Sequence, residues 1–504
     1  GTSLVYEMRV QPRSLFGAAL IPASIGRRMR RKAQQVLRRY DEIAQRGPAV
    51  SELERPSSAA DDTRQRLAAI SSALVSEARQ PAPLVGRLCS YVSTADDLSA
   101  SKMRPYALAD AWGSGRRETL DLFLNATRAG MLDLSWEVLC PHCRGSKKAT
   151  GELSAVSSEA HCDSCGIDFA VNFDQSVELT FVPNPTIRRV ERVEYCVGGP
   201  QITPHIVAQK RLGPGESLYV AMSFPEGRYR VRTQGIEVQH AFRIERGAPS
   251  KGRINVGPGE PPSDEPAVGP DAILNIVNTD QVERLSVIER VAWSDQSVTA
   301  AAVTSRQIFR DLFSREILRP GERISVGAIT IVFTDLKNST RLYRDIGDAP
   351  AFGRVLNHFD TLKALIADGG GAIVKTMGDA VMATFTDPSA AVSAMRRAQS
   401  ELASAGTPKL ALSLKCSIHQ GPCLAITQNE RLDYFGTTVN VCSRLCSQST
   451  GADIVVTGQV VRDPEVAALL ADARNRLSAT ADAAPLRGLG DAPYDFWRLA
   501  GPLF

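Results

Sequence analysis

The clearest patterning of apolar and polar positions lies in the last third of the chain. Ala328-Ile-Thr-Ile-Val-Phe-Thr334 is an apolar run of strand length that ends in Asp335. Leu336-Lys-Asn-Ser-Thr340 then reads as a polar turn opening a helix. Further on, Ala372 to Phe385 reads as two strands folded about Met377-Gly378, with Asp379 near the tip of the hairpin. Arg431 to Arg444 reads as a segment carrying Asp433, a turn at Gly436 and a helix start. Asn440 and Arg444 are four residues apart and share a face of that helix. Residues 324–504 are therefore read as a βαβ-like domain.

Upstream, a short strand is expected at Val5–Val10 and a helix from Ile25 to Ala44. A Pro/Ser/acid-rich linker covers 47–62, and helices resume at Thr63–Ala78 and Ala107–Ala129. The last of these is interrupted at Gly113, as in a helix-turn-helix. It lacks basic residues placed to read DNA, so packing is the expected role. Short β-rich runs follow at Val177–Val182, Ser217–Phe224, Arg228–Thr233, Val238–Ile244 and Ile273–Val277, separated by Gly/Pro turns. They suggest a small sandwich or barrel in which the Gly/Pro-dense stretch 247–271 is a mobile loop. Thr299–Arg315 reads as a connecting helix and Arg319-Pro-Gly-Glu322 as a turn. The expected fold class is multidomain α+β. The units are a mainly helical region 1–135, a zinc ribbon 136–172, a β-rich domain 173–297, a connecting helix and turn 298–323, and the C-terminal domain 324–504.

Composition narrows the class only a little. The 504 residues are 43% hydrophobic and 23% charged, which is ordinary for a globular chain. Lys+Arg 59 against Asp+Glu 55 leaves a net charge of +4, no general case for a nucleic-acid partner. A local surplus does exist. Arg27, Arg28, Arg30, Arg31, Lys32, Arg38 and Arg39 have no acid among them. A solvated helix face is the plain reading of residues 27–39; a weak contact with an anionic membrane is the sharper one. The first forty residues also faintly resemble the end of a lipid-binding START-like fold. No apolar run is long enough for a transmembrane helix, and no secretory signal is visible. Gly1-Thr2-Ser3 reads as a cloning scar, with native N-terminal residues expected to precede it.

Ten cysteines are too sparse for a secreted disulfide scaffold, which points to a cytoplasmic location. Cys140-Pro-His-Cys143 and Cys162-Asp-Ser-Cys165 are 18 residues apart, the spacing of two knuckles that share one ion. Four thiolates would close the coordination shell of a structural Zn²⁺. The alternatives are reduced thiol pairs or disulfides. His142 and His161 flank these ligands and are read either as residues that support the ligands from outside or as surface residues. The other six cysteines show no pattern and are read as small buried apolar residues.

The C-terminal residues point to phosphate chemistry. Two strand-end carboxylates, Asp335 and Asp379, can clamp a pair of divalent ions. A polar turn at a helix start offers backbone N–H groups to a phosphate. The donor Asn440 and the guanidinium of Arg444 on one face suit a developing pentacovalent phosphate. Phe333-Thr-Asp335, Lys375-Thr-Met-Gly-Asp379 and Leu432-Asp-Tyr-Phe-Gly-Thr-Thr-Val-Asn-Val-Cys-Ser-Arg444, in this order, resemble the class III nucleotide cyclase catalytic domain over residues 324–500. Together with the zinc knuckles, the whole arrangement resembles bacterial cyclases with an uncharacterised N-terminal regulatory region.

The resemblance implies a ferredoxin-like α/β fold and an adenylate cyclase that converts ATP to 3′,5′-cyclic AMP and pyrophosphate. It implies two Mg²⁺ or Mn²⁺ ions per site on Asp335 and Asp379. Lys375 and Asp433 would read adenine, and Asn440 and Arg444 would stabilise the transition state. Arg487, in Pro485-Leu-Arg-Gly-Leu-Gly490, falls where a triphosphate contact is common in the family. The implied site forms between two copies of the chain, so a homodimer is expected. Asn338 stands where many relatives have Gly; Asn tolerates a left-handed backbone, so the turn is expected to survive. The residue set leaves open ATP hydrolysis, cyclisation of another nucleotide, or a non-catalytic nucleotide-binding module.

Overall fold

The computed structural model describes residues 61–141, 144–162, 167–190, 206–221, 223–233, 240–258, 265–290, 296–404, 412–488 and 492–501, together with helical positions 31, 34 and 38. The strand expected at Val5–Val10, residues 47–60 of the linker, the START-like stretch and most of the basic helix lie outside them. Arg31, Gln34 and Arg38 are exposed, three and four residues apart.

Helices Asp61–Ser76, Ala82–Thr94, Asp97–Ala100, Pro105–Trp112 and Arg116–Arg128 open the described chain. Their ends follow local chemistry. Asp96 caps the short helix by accepting from the Ser99 N–H at 2.9 Å. Pro105 sits in the first turn of its helix, and Gly113 ends that helix in the left-handed region at φ 62°. Arg116–Arg128 buries Leu120, Leu122, Phe123 and Leu124. The helix pair about Gly113 is thus a packing element: Phe123 meets Phe181 edge-on, with ring centroids 5.2 Å apart.

These helices cover a four-stranded sheet in the order Val298–Thr299, Val177–Pro183, Leu132–Leu139 and Ser146–Thr150. Pairing therefore carries 177–183 into the N-terminal sheet, away from the β-rich domain assigned to 173–297. The strand Leu132–Leu139 likewise crosses the boundary drawn at 135. The cause is the register Trp136↔Leu179, which buries both side chains.

The β-rich part is a pair of sheets around one core. One has the order Lys251–Val256, Ile273–Asn278, Ser217–Ala221. The other runs Ala267–Val268, His240–Ile244, Gly227–Thr233, Arg284–Arg290, Ile206–Leu212. Tyr229, Phe242, Ile276 and Ile288 fill the space between them. The expected mobile loop 247–271 is corrected in part. Residues 251–256 form a strand parallel to 273–278, because Ile254 and Val256 alternate into the core. Residues 259–264 lie outside the described set.

The connecting helix expected at Thr299–Arg315 is two helices, Ala300–Thr304 and Gln307–Leu312. Arg306 is extended between them and reaches Asp121 at 2.8 Å. The Arg310 Nε donates to the Thr304 carbonyl at 2.8 Å, replacing a helical hydrogen bond.

The C-terminal unit has an eight-stranded sheet. Its path is Ala372–Met377, Ala380–Phe385, Ile324–Leu336, Leu414–Gln428, Ile454–Val456, Pro493–Ala500 and Ser478–Pro485, with Arg431–Phe435 paired to Leu414–Gln428. Helices Asp348–Asp368 and Pro388–Ser404 pack Val355, Leu362, Ile366, Val392 and Met395 onto one face. The opposite face carries Thr437–Cys446 and shares a continuous apolar core with the N-terminal helices. That core runs from Leu67 and Phe123 through Trp136 and Phe309 to Ile331, Phe333 and Tyr434.

Candidate functional site

Asp335 closes the central strand Ile324–Leu336 in register with Lys415, one position after the pair Thr334↔Val381. The neighbouring hairpin turns at Gly378, whose φ of 65° favours a residue without Cβ, and so brings Asp379 beside Asp335. Burial, and then the Asp379 carboxylate, raise the Asp335 carboxyl above its ordinary value. Lys415 and the Leu336 N–H oppose them. Asp379 Oδ2 is buried and has no hydrogen-bond partner. Two acids held together, with one oxygen left over, form a donor set suited to a hard divalent cation. The next turn keeps Asn338 left-handed at φ 60°, as expected, and no side chain caps the helix Ser339–Ile346 that follows.

Lys375 Nζ donates to Asp433 Oδ2 at 2.6 Å. Asp433 is buried, and its Oδ1 accepts from the Tyr434 N–H at 2.8 Å. The Lys375 side chain is 36% exposed, so the pair forms the floor of a surface that a ligand can reach. Gly436, at φ 139°, then turns the chain into the helix Thr437–Cys446. Val441, Cys442, Leu445 and Cys446 face the core, which leaves Asn440 and Arg444 on the exposed side. Arg487 is exposed in the turn after Ser478–Pro485 and, among the described residues, bonds to none of the other candidates.

Cys416, Cys423, Cys442 and Cys446 are buried, and Cys89 is half-buried. Burial pushes the Cys442 thiol up to about 12, and it donates to the Ile331 carbonyl at 3.1 Å. These are packing thiols. Cys196 lies outside the described residues. So do Cys143 and Cys165. Cys140 and Cys162 are buried at strand ends. Around Cys140 the chain closes tightly: Arg144 N–H reaches the Cys140 carbonyl at 2.9 Å, and Cys140 N–H reaches Gly145 at 3.1 Å. Arg144 is left-handed at φ 58°. His161 is exposed beside Asp168, at 2.8 Å.

Three features escaped the sequence reading. Lys415 faces Asp335 only through strand register. His358 is fully buried on the helix Asp348–Asp368, and both of its ring nitrogens lack hydrogen-bond partners. Burial pushes it down to about 4, with Asp379 the first influence opposing that shift. Finally, Arg310 binds the strand that carries Asp433. It donates to the Leu432 carbonyl at 2.9 Å and lies over the Tyr434 ring at 5.6 Å, while Tyr434 and Thr304 hydroxyls are 3.0 Å apart. An apolar periodicity that includes one His gives no signal that the His matters.

The C-terminal unit is an α/β domain, and comparison with known proteins makes its class specific. Residues 322–481 match the family described as the adenylate and guanylate cyclase catalytic domain, and that segment is a class III catalytic domain of this kind. Residues 68–195 match a family of unknown function, DUF5939. Among curated relatives, the adenylate cyclase of Schizosaccharomyces pombe is 32% identical over 157 residues, covering 27% of this chain and 9% of that protein. The adenylate cyclase of Mycosarcoma maydis is 29% identical over 171 residues, 30% of this chain and 7% of that protein. The chain thus spans a tenth or less of the length of such relatives. Among solved structures, the adenylyl cyclase CyaB from P. aeruginosa is 21% identical, with a TM-score of 0.30 over 36% of this chain and 97% of that one. A monomeric Trypanosoma brucei adenylate cyclase is 24% identical, with a TM-score of 0.29 over 34% and 89%.

Proposed function

We propose that this protein is an adenylate cyclase converting ATP to 3′,5′-cyclic AMP and pyrophosphate. The observation that carries the reading is the pair of sites on adjoining strand ends: Asp335 with Asp379, and Lys375 with Asp433. Mg²⁺ or Mn²⁺ ions on the two acids would neutralise the triphosphate and make the ribose 3′-hydroxyl more acidic. The chain's own residues do the rest. Asp433 accepts from the exocyclic amine of adenine and Lys375 donates to a ring nitrogen, the reverse of what guanine offers. Asn440 orients the ribose, and Arg444 donates to the oxygens around the α-phosphorus. Arg487 is proposed as a triphosphate contact.

A second copy of the chain completes the site in this reading. Asn440 and Arg444 stand exposed, and Met377 and Phe435, on the hairpin and on the Asp433 strand, are exposed apolar side chains. The N-terminal region is the regulator. Support comes from the shared core, the Arg310–Tyr434 contact and the Thr427 hydroxyl donating to the Leu318 carbonyl at 2.7 Å. Among the described residues no helix is long and apolar enough to cross a membrane. Cytoplasmic placement and an anionic-lipid contact at 27–39 stay part of the proposal.

A structural Zn²⁺ on Cys140, Cys143, Cys162 and Cys165 is proposed as well. Support comes from the hydrogen bonds that Cys140 makes with Arg144 and Gly145, and from the burial of Cys140 and Cys162. Arg144 and Arg230 lie beside this turn, with Glu178 and Glu289 as counter-charges. Arg230 donates to the Pro141 carbonyl at 3.2 Å, and burial followed by Arg230 lowers Arg144 to about 10.

The test of function is product identification from α-labelled ATP with Mn²⁺ or Mg²⁺, alongside Asp335→Asn. Cyclic AMP that disappears in the variant is the expected result. ADP as the only product, also lost in the variant, would replace cyclisation with hydrolysis. Cyclic AMP formed equally by the variant would overturn the site.

A further inference from the structure

The helix Thr437–Cys446 buries two stripes. Val441 and Leu445 pack on Val455, Leu486 and Phe496. The other stripe is Thr438, Cys442 and Cys446, spaced four residues apart, and each carries a hydrogen-bonding atom. All three atoms are used. The Thr438 hydroxyl donates to the Pro422 carbonyl. The Cys442 thiol donates to the Ile331 carbonyl at 3.1 Å, and the Cys446 thiol to the Phe333 carbonyl at 3.6 Å. Ile331 and Phe333 lie on the strand that ends at Asp335 and Leu336. From the neighbouring strand, Ser417, opposite Phe333 in register, donates its hydroxyl to the Cys442 carbonyl at 2.7 Å. Ser417 and Cys442 are both fully buried. Burial raises the Cys442 thiol to about 12 and lifts the Cys446 thiol as well, so both keep the proton they donate.

Core positions on a central strand and a packed helix ask only for apolar bulk. Replacing both partners of a buried hydrogen bond by apolar groups of the same shape is nearly neutral for stability. What a satisfied buried network adds is one fixed arrangement. The part fixed here is the helix that holds Asn440 and Arg444, because the Cys442 carbonyl lies midway between them.

We infer that Ser417 and Cys442 are positioning residues for Asn440 and Arg444, their hydrogen bonds clamping the helix in one register on the sheet so that both side chains stand at the reacting phosphorus. The inference rests on the transition-state role of Asn440 and Arg444 proposed above. A misplacement of about 1 Å at such groups costs about 100-fold in rate. A purely structural pair predicts something else: replacement lowers stability and leaves turnover by the folded chain alone.

The experiment is steady-state conversion of ATP to cyclic AMP by the full chain with Mn²⁺, with thermal unfolding of every variant. The variants are Ser417→Ala, Cys442→Val, the two combined, and Cys442→Ser. Asn440→Ala and Arg444→Ala are made alone and with the combined pair. The combined pair is expected to lower kcat about 10-fold to 100-fold, while the KM for ATP and for Mn²⁺ and the unfolding midpoint hold. Cys442→Ser, which keeps a donor, is expected to retain most of kcat. In the Asn440→Ala or Arg444→Ala background the pair should cost only part of that factor, because residues that act as a unit are not additive. Wild-type kcat in the combined pair would overturn the inference, as would full additivity in both backgrounds. So would a fall in kcat matched by equal rises in both KM values, the mark of general loosening. If the pair does not fold, Ser417→Ala, which removes a single oxygen, decides by the same criteria. Wild-type kcat in both Asn440→Ala and Arg444→Ala would refute the transition-state reading itself, whatever Ser417 and Cys442 do.

Discussion

Replacing either member of the Lys375–Asp433 pair tests base recognition and burial at once, because the two sides are unequally exposed. Asp433 is 5% exposed, whereas the Lys375 side chain is 36% exposed. Lys375→Met leaves a buried carboxylate with only the Tyr434 N–H at 2.8 Å. Breaking a fully buried pair costs about 3–5 kcal/mol; solvent access on the lysine side reduces this to about 2 kcal/mol. Asp433→Asn keeps an acceptor for Lys375 and leaves behind an ammonium that water reaches, so its cost stays under about 1 kcal/mol. Catalysis responds differently. Lys375→Met removes one charged contact to adenine, worth about 1.5–3 kcal/mol, or roughly 10-fold to 150-fold in kcat/KM for ATP. Asp433→Asn can still accept from the amine, so its loss is about 10-fold, but its amide can also donate to guanine and narrows the preference for ATP over GTP. The assays are kcat/KM for both nucleotides with Mn²⁺ and the urea midpoint of the cyclase-domain transition. An unchanged ATP:GTP ratio in Asp433→Asn would remove base reading from this pair. Equal stability losses in the two variants would refute the burial argument.

Three further outcomes are expected. His419 is buried with Nδ1 2.8 Å from the Thr457 hydroxyl, and burial pushes it down to about 4. The unfolded chain takes up that proton near pH 6.5 and the folded chain only near 4, so stability falls as pH drops through this window, by at most about 3 kcal/mol. Urea midpoints from pH 7 to 4 should show a shallower fall in His419→Gln. Arg310→Ala leaves the Leu432 and Thr304 carbonyls without their donor and should cost about 2–3 kcal/mol; Tyr434→Phe should cost about 1, and the double variant less than the sum. Strict additivity in denaturant melts would mean that the contact does not join the regulator to the Asp433 strand. For the cysteine knuckles, metal analysis of purified protein should find one zinc per chain, lost in Cys140→Ser with a lowered melting midpoint; a metal-free wild type would discard the site.

Positions that follow from local order could be read directly. Asp335 ends an apolar run, Asp379 sits at a glycine turn, and Asn440 and Arg444 are spaced by one helical turn; each lies where that spacing puts it. Asn338 is the same kind of case, since its left-handed φ of 60° is what Asn tolerates and most residues do not. Pairing partners distant in sequence were not legible. The boundary at 173 failed because Val177–Pro183 finds its neighbour in Leu132–Leu139, a choice made by register and not by anything in the strand itself. The long connecting helix failed because Arg306 and Arg310, which read as ordinary helix formers, are drawn to Asp121, Leu432 and Thr304.

The same distinction bears on how the two parts of the chain act together. The Phe173 N–H, in the segment before the strand Val177–Pro183, donates to the Ser325 carbonyl of the strand Ile324–Leu336 at 3.0 Å, and Gln307 accepts from the Ile373 N–H at 2.8 Å on the strand that carries Lys375. Tyr434, next to Asp433, is 1% exposed beneath Arg310 and Thr304. Packed side chains and hydrogen bonds therefore link the N-terminal part to Lys375 and Asp433, the residues proposed to read the base. The acid pair is tied in as well: Asp335 and Asp379 sit over the helices Asp348–Asp368 and Pro388–Ser404, and the first of these receives Arg117 at its Ala367 and Asp368 carbonyls and pairs Lys363 with Asp311 at 3.1 Å. In the proposed reading, a change in the N-terminal part therefore bears on the base-holding pair and on the acid pair alike.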